Sequence, residues 1–401
     1  MDIKSVAVVG GGTMGAGIIQ TLSSFELPVA FKDINEDLVK KCLDQVNRIY
    51  ISALKKGKIT EAKMKDCISL VQGGADYKGF EKVDLVIEAV PEILEVKQKV
   101  FIELDRVCKP ETIFASNTSA LSITQLASFV KKRETRVIGM HWFNPAHIMR
   151  LIEIIPGLTT SEDVVDNLTK FCLGLGKVPI RVKECAGFLV NRLLGIYSNE
   201  ALFMMEEGKK PADIDQAALS LGMPIGPLSL VDMVGWDVVY HANQALYEEY
   251  GARFALPDLM VQIVKEGRLG VKTGKGIYRY DIPADGPPRE KESIESSIDE
   301  SMLKELSQRL LLVWINEGIR CLDEGVTEAK DIDLGLQIGT RVPKGPLSWA
   351  DDLGLDVVLN GLEQKRNCLG ERFWPSPLLK RKVYAGHLGE KVGRGFFDYR
   401  P

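Results

Sequence analysis

The chain opens on Val6-Ala-Val-Val9 and passes at once into Gly10-Gly11-Gly12-Thr13-Met14-Gly15. That junction restricts the fold more than any other segment. It is G-x-G-x-x-G placed where a short β-branched strand ends and a helix begins. Gly10 permits the tight turn, Gly12 lets backbone approach a pyrophosphate, and Gly15 lets helix and strand pack closely. Thr13 and Met14 share the turn, and the helix start presents free N–H groups and partial positive charge to phosphates. A second strand, Val29-Ala-Phe-Lys32, ends in Asp33, 18 residues after Gly15. A carboxylate there accepts hydrogen bonds from ribose hydroxyls and repels a 2′-phosphate. The expected cofactor is therefore NAD rather than NADP, with Lys32 as the one neighbour that pulls the other way.

From residue 4 to about 183, strand-like runs (5–9, 28–32, 83–88, 112–115, 136–140, 151–155 and 178–182) alternate with helical stretches such as 36–56, 92–107 and 161–175. Such alternation predicts a parallel sheet covered on both faces. After Cys185 the pattern becomes helical with Gly/Pro breaks, and 281–300, rich in proline and charge, reads as an exposed linker. The last third repeats the middle third. Gly226-Pro-Leu-Ser-Leu-Val-Asp-Met-Val-Gly-Trp-Asp-Val-Val239 and Gly345-Pro-Leu-Ser-Trp-Ala-Asp-Asp-Leu-Gly-Leu-Asp-Val-Val358 agree at nine of fourteen positions. Asn199-Glu200 pairs with Asn316-Glu317, and Gly274–Tyr280 with Gly393–Tyr399, all at offsets of 117 to 119 residues. One register held that long marks a tandem duplication. The expected architecture is an α/β Rossmann-type N-terminal domain (1–184) followed by two tandem all-α domains (185–282 and 301–401), joined by a linker at 283–300.

Composition supports an enzyme with sizeable cores: 45% of the 401 residues are hydrophobic and 26% charged. The formal charge of −4 speaks against a nucleic-acid surface. Seven cysteines without a C-x-x-C pair read as free thiols in a reducing compartment. The N-terminus leaves no room for a signal peptide before the first strand. No apolar run approaches the ~20 residues of a membrane span. The expectation is a soluble, cytoplasmic protein with no metal, membrane or nucleic-acid partner.

Of the four histidines, His141 follows the strand Arg136–Met140, at a carboxyl end where open α/β sheets place ligands. Glu153 lies inside the apolar run Leu151-Ile-Glu-Ile-Ile155. A carboxylate there is costly to bury without a partner. His141 is the partner to expect, in a pair that orients the ring and stabilises its cation, as a general base needs. Together, Ala115-Ser-Asn-Thr-Ser119, Gly139-Met-His-Trp-Phe-Asn-Pro145 with Glu153, Gly187-Phe-Leu-Val-Asn-Arg192 and Lys272-Thr-Gly-Lys-Gly276 resemble, in order and spacing, the signature segments of the 3-hydroxyacyl-CoA dehydrogenase family. The resemblance covers the whole chain. The duplicated helical part is similar to the dehydrogenase portion of multifunctional fatty-acid oxidation proteins and of archaeal bifunctional enzymes.

The resemblance implies NAD-dependent interconversion of (3S)-3-hydroxyacyl-CoA, such as 3-hydroxybutyryl-CoA, and 3-ketoacyl-CoA. It makes His141 the base and Glu153 its orienting carboxylate. Ser119 and Asn191 become the groups that hold the substrate's oxygens, in a cleft between domains. Glu92, Lys97, Ser119, Asn144 and Lys272 match NAD-contacting positions, and Lys56 matches a lysine that meets coenzyme A. Two departures stand out. Glu95 replaces a second coenzyme-contacting lysine, and His147, read as a packing or surface residue, replaces a commoner apolar one. The resemblance further implies an enoyl-CoA hydratase, fused or associated. It also implies that the usual family dimer surface is satisfied in cis by the second repeat, which has Gln308 where the first has Asn191. Two other readings remain: a dehydrogenase of a free β-hydroxy acid, which mostly depends on a lysine base, and a non-catalytic NAD-binding scaffold.

Overall fold

The computed structural model describes residues 3–281, 296 and 298–400; most of the expected linker, 283–295 and 297, lies outside the described residues. Two compact units divide between Phe188 and Leu189.

The first unit contains one eight-stranded sheet in the order β3-β2-β1-β4-β5-β6-β7-β8. Its strands are β1 (Val6–Val9), β2 (Val29–Lys32), β3 (Val71–Gly74), β4 (Leu85–Glu88), β5 (Ile113–Ser116), β6 (Val137–Trp142), β7 (Leu151–Pro156) and β8 (Val178–Arg181). Helices α1 (Thr13–Ser24), α2 (Glu36–Lys55), α3 (Glu61–Ser69), α4 (Leu94–Val107), α5 (Ile123–Ser128) and α6 (Glu162–Gly174) connect them. β1, β4 and β5 are buried along their whole length, which is why they read as continuous apolar runs rather than alternating ones.

The expected parallel sheet is present, with one reversal that the pattern did not announce. β1 to β6 are parallel, but β7 runs antiparallel to β6, and β8 follows β7. Only residues 143–150 join β6 to β7, too few for a parallel crossover, which takes a dozen or more. β3, Val71-Gln-Gly-Gly74, is a strand that the β-branched pattern does not announce. It pairs in parallel with β2, and glycine at 73 makes room for Phe31, since a Cβ there would stand 2.4 Å from that ring.

The second unit is helical, with α7 (Val190–Glu206), α8 (Pro211–Ser220), α9 (Pro227–Val234), α10 (Trp236–Tyr250) and α11 (Asp258–Lys265). The same series recurs as α12 (Glu300–Asp323), α13 (Ala329–Thr340), α14 (Pro346–Leu353), α15 (Leu355–Leu369) and α16 (Pro377–Tyr384). The shared Gly-Pro-Leu-Ser motif has a physical cause. Asp215 accepts the Leu228 and Ser229 amides at 2.9 and 3.2 Å, and Asp333 accepts those of Leu347 and Ser348 at 2.9 and 2.8 Å. Each aspartate thus fills the donors that a helix start leaves open, with proline at the first helical position where no N–H is missed. No helix among the described residues is long and apolar enough to cross a membrane.

Candidate active site

The glycine turn is built by steric exclusion. Gly10 has φ +95°, and a Cβ there would stand 2.6 Å from the Ala89 carbonyl oxygen; one on Gly15 would stand 1.9 Å from that of Gly10. Gly11, to which the motif assigns no role, is equally constrained, because its Cβ would meet Cys42 at 2.7 Å. Gly12 is different: the space its side chain would fill is open. It precedes α1 without any side-chain cap, and no acidic residue occupies the first turn. Bare N–H groups beside open space suit a pyrophosphate. Asp33 accepts the Gly11 amide at 2.8 Å and the Ile34 amide at 2.7 Å, which fixes its carboxylate beside the turn, where a ribose would lie. These residues fit NAD.

Further along the same carboxyl edge, the antiparallel register sets His141 directly across from Glu153. Nδ1 lies 2.6 Å from Glu153 Oε2 and Nε2 3.0 Å from the Ser119 hydroxyl. His141 is 4% exposed and Glu153 fully buried, with Phe143 and Phe188 packed around the ring at 4.6 and 5.7 Å. With Nδ1–H donating to the carboxylate, Nε2 keeps its lone pair toward Ser119, as a base requires. Asn117, which sequence reasoning passed over, accepts the Trp142 amide at 2.9 Å and ties the end of β5 to that of β6.

Glu92 holds the Ser119 loop. Its Oε1 accepts the Thr118 hydroxyl at 2.5 Å and the Ser119 and Ala120 amides at 2.8 and 3.0 Å. Burial pushes this carboxyl up, but the Lys97 ammonium and those three donors outweigh it and hold it below the usual range. Lys97 is buried against Glu88. Asn144 is exposed in the loop between β6 and β7, before a cis proline. Lys177, another residue the sequence did not single out, donates to the Ala146 and Met149 carbonyls of that loop at 2.7 and 2.8 Å. Burial pushes its ammonium down to about 8.

Two further candidates of the first unit lie outside this cluster. Lys56 is exposed at the end of α2. His147 is half-buried; burial first, then the Lys177 and Lys56 charges, holds its imidazole below the usual range. Asn191 and Lys272 belong to the second unit, Asn191 in the first turn of α7 and Lys272 in a short turn where it pairs with Asp237.

Residues 5–185 match the family model of the 3-hydroxyacyl-CoA dehydrogenase NAD binding domain. The model of the C-terminal domain of the same enzymes matches at 187–280 and again at 306–399. The chain belongs to the 3-hydroxyacyl-CoA dehydrogenase family. It is 38% identical over 403 residues to the fatty acid oxidation complex subunit alpha of Vibrio cholerae serotype O1, covering 97% of this chain and 56% of that one. The chain thus spans about half the length of the curated relatives it matches. Among solved structures of the family, the 3-hydroxybutyryl-CoA dehydrogenase of Escherichia coli K12 superposes with a TM-score of 0.85 at 29% identity, covering 96% of this chain and 99% of that one. The (S)-3-hydroxybutyryl-CoA dehydrogenase of Ralstonia eutropha, at 39% identity and a TM-score of 0.68, covers 70% of this chain and 100% of its own.

Proposed function

We propose that this family member is an NAD-dependent oxidoreductase that interconverts (3S)-3-hydroxyacyl-CoA and 3-ketoacyl-CoA. The observation that carries the reading is the buried Glu153–His141 pair with Nε2 turned to the Ser119 hydroxyl. In the oxidative direction His141 Nε2 takes the proton of the 3-hydroxyl. Glu153 holds the ring in the tautomer that leaves Nε2 free, then stabilises the imidazolium. Ser119 donates to the C3 oxygen, and Asn191 holds the oxygen functions of the β-hydroxyacyl group. NAD, when bound there, would supply the hydride acceptor. The glycine turn, Asp33, Glu92, Lys97, Asn144 and Lys272 hold it, and Lys56 meets coenzyme A.

This reading takes residues 1–184 as the cofactor domain, 185–282 as the substrate domain, 283–300 as linker and 301–401 as its second copy, in a cytoplasmic protein working with an enoyl-CoA hydratase. The test is NADH consumption with acetoacetyl-CoA, run beside free acetoacetate. Turnover of the thioester with NADH preferred over NADPH is the expected result. Turnover of the free acid alone would move the protein to the β-hydroxy-acid enzymes, and none with either would leave an NAD-binding scaffold. His141→Gln should lower kcat by about 10²–10⁴ while NADH still binds.

A further inference from the structure

Glu88, the last residue of β4, has no part in the roles above, yet its carboxylate is buried completely. Such a group is costly to bury unless its oxygens are satisfied, and here both are. Oε1 accepts the Val90 amide at 2.7 Å and Lys97 Nζ at 2.7 Å; Oε2 accepts Lys97 Nζ at 2.9 Å and the Ser116 hydroxyl at 2.5 Å. Lys97 is as buried as Glu88, each 1% exposed. Its ammonium also faces Glu92 Oε2 at 3.2 Å and the Val90 carbonyl at 3.4 Å. The other oxygen of Glu92 holds Thr118, Ser119 and Ala120, and the Ser119 hydroxyl reaches His141. An unbroken chain therefore runs from Glu88 through Lys97 and Glu92 to Ser119 and His141, across the carboxyl ends of β4, β5 and β6.

The charges explain why the first member matters. One buried cation stands between two carboxylates, and Glu88 takes it on the closer, doubly bonded side. Glu92 therefore keeps one oxygen for the cation and the other for the loop donors. With Glu88 neutral, the only anion left to Lys97 among the described residues is Glu92, and Coulomb attraction in a poorly screened interior draws the two together. The ammonium then competes with the Ser119 and Ala120 amides for the same carboxylate. We propose that Glu88 is a positioning residue, acting through Lys97 and Glu92 to fix the Ser119 backbone so that its hydroxyl faces His141.

The kinetic part of this proposal rests on the dehydrogenase reading; the backbone part does not. In Glu88→Gln of the full chain, kcat with acetoacetyl-CoA and NADH should fall about 10- to 100-fold, the scale of a reacting group displaced by an ångström or less. The effect should fall more on kcat than on the KM for acetoacetyl-CoA, because the displaced group acts on the reacting oxygen. Amide hydrogen exchange at Ser119 and Ala120 should quicken about tenfold or more, with β5 amides unchanged. Ser116→Ala removes a bond to the same carboxylate but leaves the charge balance, and should keep kcat within about twofold. Glu88→Gln/Lys97→Met also removes the competing ammonium and leaves Glu92, whose side chain is 39% exposed, to its loop donors; it should fold with near-normal stability and return exchange at Ser119 and Ala120 toward the wild-type rate. Unchanged exchange at those two amides in Glu88→Gln, or exchange as fast in the double variant as in Glu88→Gln, would overturn the proposal, whatever the activity. So would equal losses of kcat in Ser116→Ala and Glu88→Gln. A wild type inactive on the thioester would defeat the dehydrogenase reading and leave the exchange measurement to decide this one.

Discussion

The two helical repeats share their internal scaffold and differ where chemistry would be done. Asp232 accepts the Ile277 and Tyr278 amides at 2.9 Å each; in the second repeat Asp351 accepts those of Phe396 and Phe397 at 2.8 and 2.9 Å. Lys272 pairs with Asp237, and Lys391 with Asp356. The contacts between the repeats are reciprocal. Arg192 of α7 meets Glu317 of α12 at 2.6 Å, while Arg309 of α12 meets Glu200 of α7. Arg253 meets Glu324 at 3.1 Å, and its counterpart Arg372 meets Glu207 at 3.8 Å. Tyr197 and its counterpart Trp314 meet at a tilt, their ring centroids 6.5 Å apart. An exchange in which i touches j and the copy of j touches the copy of i is the signature of a two-fold dimer interface, written here within one chain. Asn191, by contrast, has become Gln308, and Tyr250, which the Arg192 guanidinium overlies at 4.3 Å, has become Leu369. The duplication has preserved the interface and the turns while letting the polar groups of one copy drift.

Removing the second repeat is the harshest way to break this pairing. A chain ended after residue 285 would uncover the α7 face, with Arg192, Glu200 and the apolar residues around them. Sedimentation should then show a dimer or an aggregating species, because the surface is self-complementary and no longer satisfied in cis. A stable, well-behaved monomer would mean that the second repeat does not cover that face.

Single substitutions probe the reciprocity more finely. Arg192→Met strips a buried carboxylate, Glu317, of its 2.6 Å partner and leaves it Arg253 at 3.6 Å. Denaturant unfolding should report a loss of about 3–5 kcal/mol, the range for breaking a buried ion pair. Arg309→Met should cost less, since Glu200 retains Arg372 at 2.6 Å. The reverse ranking would show that the distances do not order the energies.

These pairs also show what one sequence reveals and what it conceals. Arg192 and Glu200 stand eight residues apart, as do Arg309 and Glu317, so the repeat was visible. That each arginine reaches the other copy's glutamate is a long-range fact that no local pattern encodes. The glycine turn was readable because Gly10 takes a positive φ and Gly15 lies against the Gly10 carbonyl, two limits set near in sequence. The His141–Glu153 pairing was readable because a carboxylate in an apolar strand demands a partner. The direction of β7 was missed, although the brevity of 143–150 encodes it. Nothing local marks Glu88 at the end of the run 83–88, since its partners come from α4 and β5, 9 and 28 residues away.

The divergence at the ends of α7 and α12 gives a comparison in activity. Asn191→Ala should lower kcat with acetoacetyl-CoA by about 10²-fold, the scale for losing one donor to a developing oxyanion. Gln308→Ala, at the matching position of the second repeat, should leave kcat within about twofold. Equal losses would mean that the second repeat still takes part in turnover.

The smallest expected effect comes from one proline. In the second repeat Asn316 donates to the Trp374 carbonyl at 2.8 Å and accepts the Ser376 amide at 3.0 Å. Ser376 also caps α16 through the Leu378 amide at 3.2 Å. In the first repeat Asn199 donates to the equivalent Ala255 carbonyl at 3.4 Å, but its Oδ1 is buried without a hydrogen-bond partner. The cause is Pro257, which stands where Ser376 does and has no N–H to give. Its backbone, φ −61° and ψ 137°, nearly matches that of Ser376 at −56° and 138°, so serine fits without rearrangement. Pro257→Ser should satisfy Asn199 and cap α11, each worth about 1 kcal/mol. Against this stands the greater freedom of the unfolded chain once proline is lost, which costs about 0.4–1 kcal/mol. The net gain is about 1 kcal/mol, readable as a higher denaturation midpoint. In an Asn199→Leu background, which removes the unsatisfied oxygen, the same substitution should gain less. A full gain there would assign the whole effect to the helix cap and none to Asn199.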